Sequence, residues 1–335
     1  MTASERSVRT PSITCVMPAY NEARNLAQVV PQVLAAALAL APQVELIVVD
    51  DGSRDATAQV VLALALAHPQ IVLVQLSRNF GKEAALTAGI DAAQGDVVVL
   101  MDADGQHPEQ LLAPMLAHWR AGADVVYARR KTRDDQSRLQ ARLTGLFYKL
   151  VNWGNRVQIP AHAGDFRLID RKVVQALQAL PERNRFMKGL YAWVGFHSIA
   201  IDYEPAPRAD GRSNFGLRGA LRLALTGMVA FSTVPLRLLS VVGMVLALAA
   251  LAYGAWVVVE YFWAGIDVPG YATIVVALMF FSGIQLLGLG ILAEYVGRIY
   301  DEVKQRPIYW VQRRSGRGLA APAGAADPAP DQTGP

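Results

Sequence analysis

Short apolar runs alternate with longer segments rich in alanine and leucine over the first half of the chain. The runs have the length and the β-branched content of buried strands, and they lie at residues 13–17, 45–49, 71–76, 97–101 and 124–128. Segments typical of helices extend to about residue 40, from residue 55, over 83–93 and over 171–180. Strands that alternate with helices form βαβ units, so the pattern predicts an α/β fold with a mostly parallel sheet.

Two acidic side chains follow the fourth run, where the predicted strand ends. Asp102 and Asp104 stand there with one residue between them. Open α/β sheets bind ligands beyond the carboxyl ends of their strands. Two neighbouring carboxylates need a counter-charge, and a divalent cation that prefers oxygen ligands, Mg²⁺ or Mn²⁺, can supply it. An Asp-x-Asp pair by itself is more often a solvated loop, so both interpretations stay open at this point.

Polar residues also follow the first two runs, with Tyr20 and Glu22 after the first and Asp51 after the second. A carboxylate in the position of Asp51 can accept hydrogen bonds from a nucleotide base or ribose. A turn followed by a helix cap explains residues 50–53 equally well. The chain has neither a Gly-x-Gly-x-x-Gly segment after the first run nor a P-loop, which argues against an NAD-dependent oxidoreductase.

Basic segments follow the fifth run. Residues 129–142 contain six Lys or Arg side chains, which form either a solvated surface or an anion-binding segment beside the acidic edge of the sheet. Residues 143–157 mix aromatic and basic side chains, and residues 215–225 mix apolar side chains with arginine. Such helices suit a membrane surface, and they suit docking on the protein equally well.

Two long stretches near the end of the chain carry no charge, at residues 238–259 and 271–293. Each would reach about 33 Å as a helix, enough to cross a bilayer core of about 30 Å. Arginine and lysine flank the pair, whereas the connection over 260–270 has none. The positive-inside rule therefore predicts two membrane spans with both chain ends in the cytoplasm. The alternative is a helical hairpin buried in a soluble core.

The overall composition changes this picture little. The hydrophobic fraction of 53% is concentrated in the last third, and a net charge of +4 does not indicate nucleic-acid binding. Cys15 is the only cysteine, which excludes an internal disulfide framework and fits a reducing compartment. The polar start of the chain resembles no signal peptide, so we expect the predicted α/β domain in the cytoplasm.

Several short motifs occur together and resemble one enzyme family. They are Pro-Ala-Tyr-Asn-Glu at 18–22, Asp-Asp-Gly-Ser at 50–53, Ser-Arg-Asn-Phe-Gly-Lys at 77–82, Asp-Ala-Asp-Gly-Gln at 102–106, Gly-Asp-Phe-Arg-Leu at 164–168 and Pro-Glu-Arg-Asn-Arg-Phe-Met-Lys-Gly at 181–189. As a set, spread over residues 11–310, they resemble the family 2 glycosyltransferases of GT-A fold that act on polyprenyl phosphates. The resemblance is strongest to bacterial undecaprenyl-phosphate glucosyltransferases with two C-terminal spans, and it extends to dolichyl-phosphate mannose synthases.

The resemblance implies roles for individual positions. The residues implied to line the nucleotide-sugar pocket are Pro18, Tyr20, Glu22, Asp51, Asp102 and Ala103. Those implied to hold the metal and the diphosphate are Asp102, Asp104 and Gln106, with Asp104 and Asp165 as catalytic residues. Those implied to contact phosphate are Arg129, Arg138, Arg208, Arg212 and Ser213. The family's loop near Arg212 usually reads Gly-Glu-Ser-Lys, but here residues 211–214 read Gly-Arg-Ser-Asn, so Arg212 would have to supply the missing lysine's charge.

The implied activity is inverting transfer of a hexose from a nucleotide sugar to undecaprenyl or another polyprenyl phosphate at the cytoplasmic membrane face. UDP-glucose is the favoured donor; GDP-mannose, UDP-N-acetylglucosamine and a modified UDP-arabinose are alternatives. A homo-oligomer, a separate flippase as pathway partner and a bacterial inner-membrane location are further expectations. A processive polysaccharide synthase is disfavoured because no Gln-x-x-Arg-Trp motif is present. A non-catalytic scaffold would be expected to lack the carboxylates.

We expect five regions along the chain. They are a flexible N-terminus over 1–11, a GT-A domain over 12–213, an amphipathic juxtamembrane helix over 214–233, two transmembrane helices over 234–298 and a cytoplasmic tail over 299–335. The tail is rich in Ala, Pro and Gly from about residue 315, a composition typical of disorder.

Overall fold

The computed structural model describes residue 6 and residues 10–130, 163–183, 185–204, 234–264 and 270–319. The strands within these residues are β1 Ile13–Ala19, β2 Val44–Asp50, β3 Ile71–Leu76, β4 Val97–Leu100, β5 Val125–Arg130, β6 Ala163–Asp170, β7 Ser198–Tyr203 and β8 Val311–Ser315. The helices are α1 Ala23–Leu38, α2 Thr57–Ala67, α3 Lys82–Ala92, α4 Leu112–Arg120, α5 Arg171–Gln178, α6 Met187–Trp193, α7 Val234–Ala264 and α8 Tyr271–Val303. The strands and helices predicted from the hydrophobic pattern are present, with ends shifted by a few residues.

The described strands form one sheet in the order β7-β5-β6-β4-β1-β2-β3-β8. Strand β1 pairs in parallel with both β2 and β4, and the pairs β2–β3 and β5–β7 are also parallel. Strand β6 is antiparallel to both of its neighbours, and β8 is antiparallel to β3. The predicted α/β fold with a mostly parallel sheet is therefore confirmed. The hydrophobic pattern did not predict β6, β7 or β8.

The central strands are buried on both faces, as their continuous apolar runs require. Alternate residues of β1 point to opposite sides of the sheet, so Cys15 and Met17 join one apolar cluster and Val16 joins the other. The first cluster includes the buried faces of α1 and α4, and the second includes those of α3, α5 and α6. Helices thus cover both faces of the sheet in the α/β half of the chain.

Arg6 lies within the segment that we expected to be flexible, and its side chain is buried against the α/β domain. Its guanidinium is 2% exposed and forms ion pairs of 3.0 Å with both Asp124 and Asp170. It also donates a 2.9 Å hydrogen bond to the carbonyl oxygen of Ala123. Two acidic side chains near the ends of β5 and β6 therefore supply a binding place for one basic residue of the N-terminal segment, a long-range pairing that local sequence patterns do not reveal.

Helices α7 and α8 are long enough and apolar enough to cross a membrane. Their apolar stretches, Leu239–Val257 and Val276–Val303, have mean hydropathies of 2.0 and 2.1, and the most apolar part of each is not buried within the protein. This exposure argues against the alternative of a hairpin buried in a soluble core. Apolar surfaces of this extent mark contact with a membrane or another partner.

The chain returns from the hairpin to the α/β domain. Strand β8 extends the sheet beyond β3, where Val74 pairs with Arg314 and Gln75 with Arg313. At the end of α8, the carboxylate of Glu302 accepts the backbone N–H of Arg183 at 2.9 and 3.0 Å. Further on, the hydroxyl of Tyr309 donates to Asp91 at 2.8 Å. These contacts join the two apolar helices to the sheet.

Some predictions lie outside the described residues. They are the basic segment from 131 onwards, the amphipathic candidates at 143–157 and 215–225, the juxtamembrane helix at 214–233 and the tail beyond 319.

Candidate active site

The carboxyl ends of β1, β2 and β4 meet at the point where the strand order reverses. After β1, the chain adds β2 and then β3 on one side of β1. It then crosses over and adds β4 on the other side of β1. Ligands in open α/β sheets bind at such a reversal. Tyr20 follows β1, Asp51 follows β2 and Asp102 follows β4 shortly after its last residue, as predicted from the sequence.

Asp51 is buried and fixes the turn that leads into α3. Its two carboxylate oxygens accept the backbone N–H groups of Phe80 at 2.7 Å and Gly81 at 2.9 Å. Burial raises the pKa of Asp51, and the two backbone hydrogen bonds oppose that shift. The structure thus gives Asp51 a role in holding the loop before α3, and its contact with a nucleotide stays a prediction. Each carboxylate oxygen has a second lone pair, so Asp51 can still accept a hydrogen bond from a nucleotide as predicted.

The loops after β1 and β2 are joined by hydrogen bonds. The N–H of Asn21 donates to the hydroxyl of Ser53 at 2.9 Å, and the N–H of Glu22 donates to the hydroxyl of Thr57 at 3.0 Å. Tyr20 remains 42% exposed beside them. Pro18 lies within β1 in register with Val49 of β2. This part of the predicted nucleotide pocket is a rigid edge with an accessible aromatic ring.

Three carboxylates come together at this edge. Burial raises the pKa of Glu22, and the negative charges of Asp104 and Asp102 add to the shift. Asp104 accepts the backbone N–H of Gln106 at 3.0 Å, which closes a tight turn after β4. Ala103, between the two aspartates, is 3% exposed. Glu22 therefore lies close enough to Asp104 and Asp102 to be affected by their charge, and its part in a nucleotide pocket stays a prediction.

His107 positions Asp102 and was not predicted as a site residue. Its Nδ1 accepts the backbone N–H of Asp102 at 2.9 Å, so the ring must be free of a proton at that nitrogen. The ring stacks on Phe166 at 4.8 Å with an interplanar angle of 15°. Burial lowers its pKa, which keeps the ring neutral. Its place in the sequence, directly after Gln106, could have suggested a part in the turn.

Lys82 bridges the two halves of the site, although the sequence motifs predicted no role for it. Its Nζ lies 2.7 Å from Oδ1 of Asp102 and 2.7 Å from Oδ2 of Asp165. The two carboxylates raise the pKa of Lys82 and outweigh the effect of burial, so the ammonium stays charged. Lys82 is the first residue of α3, and its ion pairs join Asp102, just after β4, to Asp165, near the start of β6.

Asp165 lies between two lysines. Besides Lys82, the Nζ of Lys188 lies 3.9 Å from its Oδ1. Although burial opposes ionisation, Lys188 and Lys82 hold the pKa of Asp165 well below its usual range. A carboxylate of such low basicity is a weak proton acceptor. The two neighbouring ammonium groups therefore favour an orienting role for Asp165 over that of a general base, and this role stays a prediction.

Near Asp165, the buried Arg167 and the half-buried Glu83 lie on the same side of the sheet. Arg167, two residues further along β6, stacks its guanidinium over the ring of Tyr191 at 3.7 Å and donates to the carbonyl oxygen of Gly164 at 2.7 Å. Glu83 accepts the backbone N–H of Met187 at 3.1 Å. Burial and the charge of Asp165 raise the pKa of Glu83 to about 7. Both groups hold the walls of the Asp165 site in position.

Comparison with known proteins identifies the family. A family model described as glycosyl transferase family 2 matches residues 14–178, and one described as the GtrB C-terminal hairpin matches residues 234–299. The SfII prophage-derived bactoprenol glucosyl transferase of Shigella flexneri is 43% identical over 276 residues, 82% of this chain and 89% of the relative. The chain belongs to glycosyl transferase family 2.

Two further comparisons place this family 2 member among others. The prophage bactoprenol glucosyl transferase homolog of Escherichia coli (strain K12) is 40% identical over 301 residues, 90% of this chain and 98% of the relative. A solved structure of glucosyl-3-phosphoglycerate synthase from Mycobacterium tuberculosis, in complex with Mn²⁺, UDP-glucose and phosphoglyceric acid, is 20% identical with a TM-score of 0.46, covering 69% of this chain and 83% of that one. The resemblance drawn from the sequence motifs is confirmed at the level of the family.

The acidic edge of this family 2 chain fits a divalent cation that is shared with a diphosphate. Within the described ranges, no group of three or more His, Cys, Asp or Glu side chains is placed to enclose a metal ion. Mg²⁺ commonly takes only one or two carboxylates from the protein and completes its shell with substrate phosphates and water. Asp102 and Asp104 offer that number, and Lys82 shows that the edge already accommodates a cation.

The predicted phosphate contacts are less complete. Arg129 forms a bidentate ion pair with Asp202 of β7, with Nε–Oδ1 at 2.6 Å and Nη2–Oδ2 at 3.1 Å. To contact a phosphate, the Arg129 guanidinium would have to leave Asp202 or bind both groups, so its phosphate-binding role stays a prediction. The other predicted contacts, Arg138, Arg208, Arg212 and Ser213, lie outside the described residues.

Proposed function

We propose that this chain transfers a hexose, with glucose favoured, from UDP-glucose to a polyprenyl phosphate at the cytoplasmic face of a bacterial inner membrane. One observation carries the proposal: a carboxylate-rich edge at the reversal of a GT-A sheet is joined, in the same chain, to two apolar helices that the protein leaves uncovered. An enzyme with two soluble substrates has no need of such helices. A lipid acceptor accounts for them.

The names of the relatives support the choice of substrates. Two relatives at 43% and 40% identity are named as bactoprenol glucosyl transferases or homologs of them, and bactoprenol is a polyprenyl alcohol. The match of the hairpin model over residues 234–299 supports membrane association. UDP as the nucleotide is what the resemblance of the sequence motifs implies, and the flanking arginines support the orientation with both chain ends in the cytoplasm.

The reaction is a single displacement. One oxygen of the acceptor phosphate attacks the anomeric carbon as the bond from that carbon to the donor's diphosphate oxygen breaks. The electron pair of the broken bond leaves with the nucleoside diphosphate, and attack from the opposite side inverts the anomeric centre. A phosphate monoester has a second pKa of about 6 and is mostly dianionic at pH 7, so it needs no strong base. The low basicity of Asp165 agrees with this chemistry.

Charge develops on the leaving diphosphate, and the acidic edge is where it is countered. Asp102 and Asp104, with Gln106 nearby, would hold Mg²⁺ or Mn²⁺, which when bound would stabilise the departing negative charge. His107 keeps Asp102 in place through the backbone hydrogen bond described above. Asp51, Tyr20 and Pro18 would bind the nucleoside. Arg129 and the basic residues outside the described ranges would neutralise the remaining phosphate charge.

A donor screen tests the proposal. Membranes that contain the full chain are incubated with Mg²⁺, undecaprenyl phosphate and one radiolabelled nucleotide sugar at a time, and label is counted in the organic phase. We expect label from UDP-glucose, and a loss of at least about 100-fold in Asp104→Ala, since removal of one charged stabilising group typically costs that much in turnover. Transfer from GDP-mannose, UDP-N-acetylglucosamine or a UDP-arabinose derivative instead would correct the sugar. No transfer from any donor would overturn the reaction.

A further inference from the structure

The two lysines beside Asp165 are accessible as well as charged. The side chain of Lys82 is 44% exposed and that of Lys188 is 29% exposed, whereas the carboxylate between them is 20% exposed. An ammonium group carries three N–H donors. Lys82 forms ion pairs with Asp102 and Asp165. The Nζ of Lys188 lies 3.9 Å from Asp165, which is too far for a hydrogen bond. Within the part of the chain that the structure describes, this ion pair therefore leaves the donors of Lys188 available to a ligand.

Among the described residues, the charges around Asp165 leave a positive excess. Lys82, Lys188 and the buried Arg167 are cationic, and Asp165 is the anion that they surround. Glu83 adds only a partial negative charge at neutral pH, because its pKa is about 7. In the structure, Asp102 and Asp165 both form ion pairs with Lys82. When Asp102 ligates a divalent cation, its charge is neutralised there, and Lys82 keeps Asp165 as its partner. The surroundings then suit a further dianion.

Lys188 lies close to the loop that contacts the end of the apolar hairpin. Lys188 lies in α6, directly after the loop whose Arg183 N–H binds Glu302 at the end of α8. Five residue steps separate Arg183 from Lys188, so the two lie no more than about 18 Å apart. A lipid phosphate that approaches along the apolar helices would therefore reach the Lys188 side of the site within a short distance.

We propose that Lys82 and Lys188 bind the phosphate of the lipid acceptor and hold it beside Asp165. Asp165 keeps the two ammonium groups in place before the acceptor arrives. This assignment rests on the proposed function, since it names the residues that recognise the acceptor. The ligand class is a phosphate monoester dianion on an isoprenoid chain, and the two lysines set the affinity for that dianion rather than for the nucleotide.

Direct binding tests the assignment without turnover. Farnesyl phosphate is titrated into the full-length protein in detergent, with Mg²⁺ present and without donor, and binding is followed by calorimetry. We expect Lys188→Gln and Lys82→Gln each to weaken binding about ten-fold, the value of one charge-assisted hydrogen bond. Lys188→Arg should restore most of the affinity. Farnesol and inorganic phosphate, titrated separately, show whether the chain and the dianion are both required.

Lys172→Gln is the matched control. Lys172 has a similar exposure of 43% and also forms an ion pair, at 2.7 Å with Asp124, but its partner does not belong to the site. Its affinity for farnesyl phosphate should equal that of the unmodified protein. UDP affinity, measured with Mg²⁺ present, should change less than two-fold in Lys188→Gln. Thermal unfolding of each variant in the same detergent confirms that it is folded before its affinity is compared.

Two results would overturn the assignment. One is unchanged farnesyl phosphate affinity in both folded glutamine variants, and the other is a loss of UDP affinity in place of acceptor affinity. These results are distinguishable from failure of the proposed function. If the unmodified protein transfers sugar in the donor screen but the variants bind the acceptor normally, only the lysine assignment fails. If no donor is used yet farnesyl phosphate binding depends on the lysines, the binding site stands and the reaction is wrong.

Discussion

Glu83 is a half-buried carboxyl whose protonation should change near neutral pH. Its pKa is raised from 4.5 to about 7, first by burial and then by the charge of Asp165. A raised pKa means that the folded state binds the proton more tightly than the unfolded state. The contribution of Glu83 to stability is therefore complete below about pH 4.5 and is lost as the pH rises through about 7. The shift corresponds to at most about 3 kcal/mol.

Glu83→Gln should remove this pH dependence. The amide oxygen of glutamine can still accept the N–H of Met187, so the hydrogen bond at 3.1 Å has a replacement. We expect the melting temperature of the variant to exceed that of the unmodified protein at pH 8 and to approach or fall below it at pH 4.5. Thermal unfolding in one detergent at both pH values gives the comparison. Parallel pH profiles for the two proteins would show that Glu83 does not titrate in this range.

The residues of the site differ in how far the sequence reveals them. Asp51, Asp102 and Asp104 follow apolar runs directly, so the rule that parallel strands end at one edge was enough to bring them together. The partners of Asp165 were not predictable in this way. Lys82 and Lys188 are 83 and 23 positions away from it, on two helices, and each contact depends on how those helices pack. His107 was missed because its role is a backbone hydrogen bond.

At the scale of elements, the turn after β2 packs closely against the segment before α3. Gly52 has φ of +66°, and a Cβ there would lie 2.4 Å from the backbone carbon of Arg78. Backbone atoms of the segment before α3 cannot move aside without breaking the hydrogen bonds from Phe80 and Gly81 to Asp51. Gly81 is a useful contrast, since it has φ of +99° but a Cβ there would meet no atom of the described residues within 4 Å.

Gly52→Ala should therefore be far more harmful than Gly81→Ala. Both variants carry the cost of a positive φ, about 1–3 kcal/mol, but only Gly52→Ala adds a backbone collision. We expect a total loss of at least about 3 kcal/mol for Gly52→Ala and a weakened affinity for UDP. Urea unfolding of both variants, with UDP titrations on the folded protein, measures these effects. Equal losses in the two variants would mean that the turn yields to the extra methyl group.

The element that sequence patterns miss most completely is β8. Residues Val311–Ser315 read Val-Gln-Arg-Arg-Ser, and four of the five are exposed. An edge strand with so little apolar content has no alternation to detect, and it forms because the chain that leaves α8 passes along the free edge of β3. Strands β1 to β4, by contrast, are almost wholly buried, so their hydrophobicity identifies them.

At the scale of the whole molecule, the orientation of the hairpin decides which side of the membrane the site faces. Basic residues flank the two apolar stretches, and the connection between them has none. The α/β sheet and the segment after α8 are joined through β8 and through Glu302, so they must lie on the same side. A cytoplasmic nucleotide sugar then requires both chain ends to be cytoplasmic.

The single native cysteine makes this orientation measurable. Cys15 is fully buried, and burial together with the charge of Glu45 raises the pKa of its thiol to about 12, so it should not react with maleimides in the folded protein. We expect a membrane-impermeant maleimide to label Asp267→Cys in intact spheroplasts, and to label Arg306→Cys only after the membrane is permeabilised. The unmodified protein is the control for background. The reverse pattern would place the site outside, where no nucleotide sugar is supplied, and would contradict the proposed reaction at its first requirement.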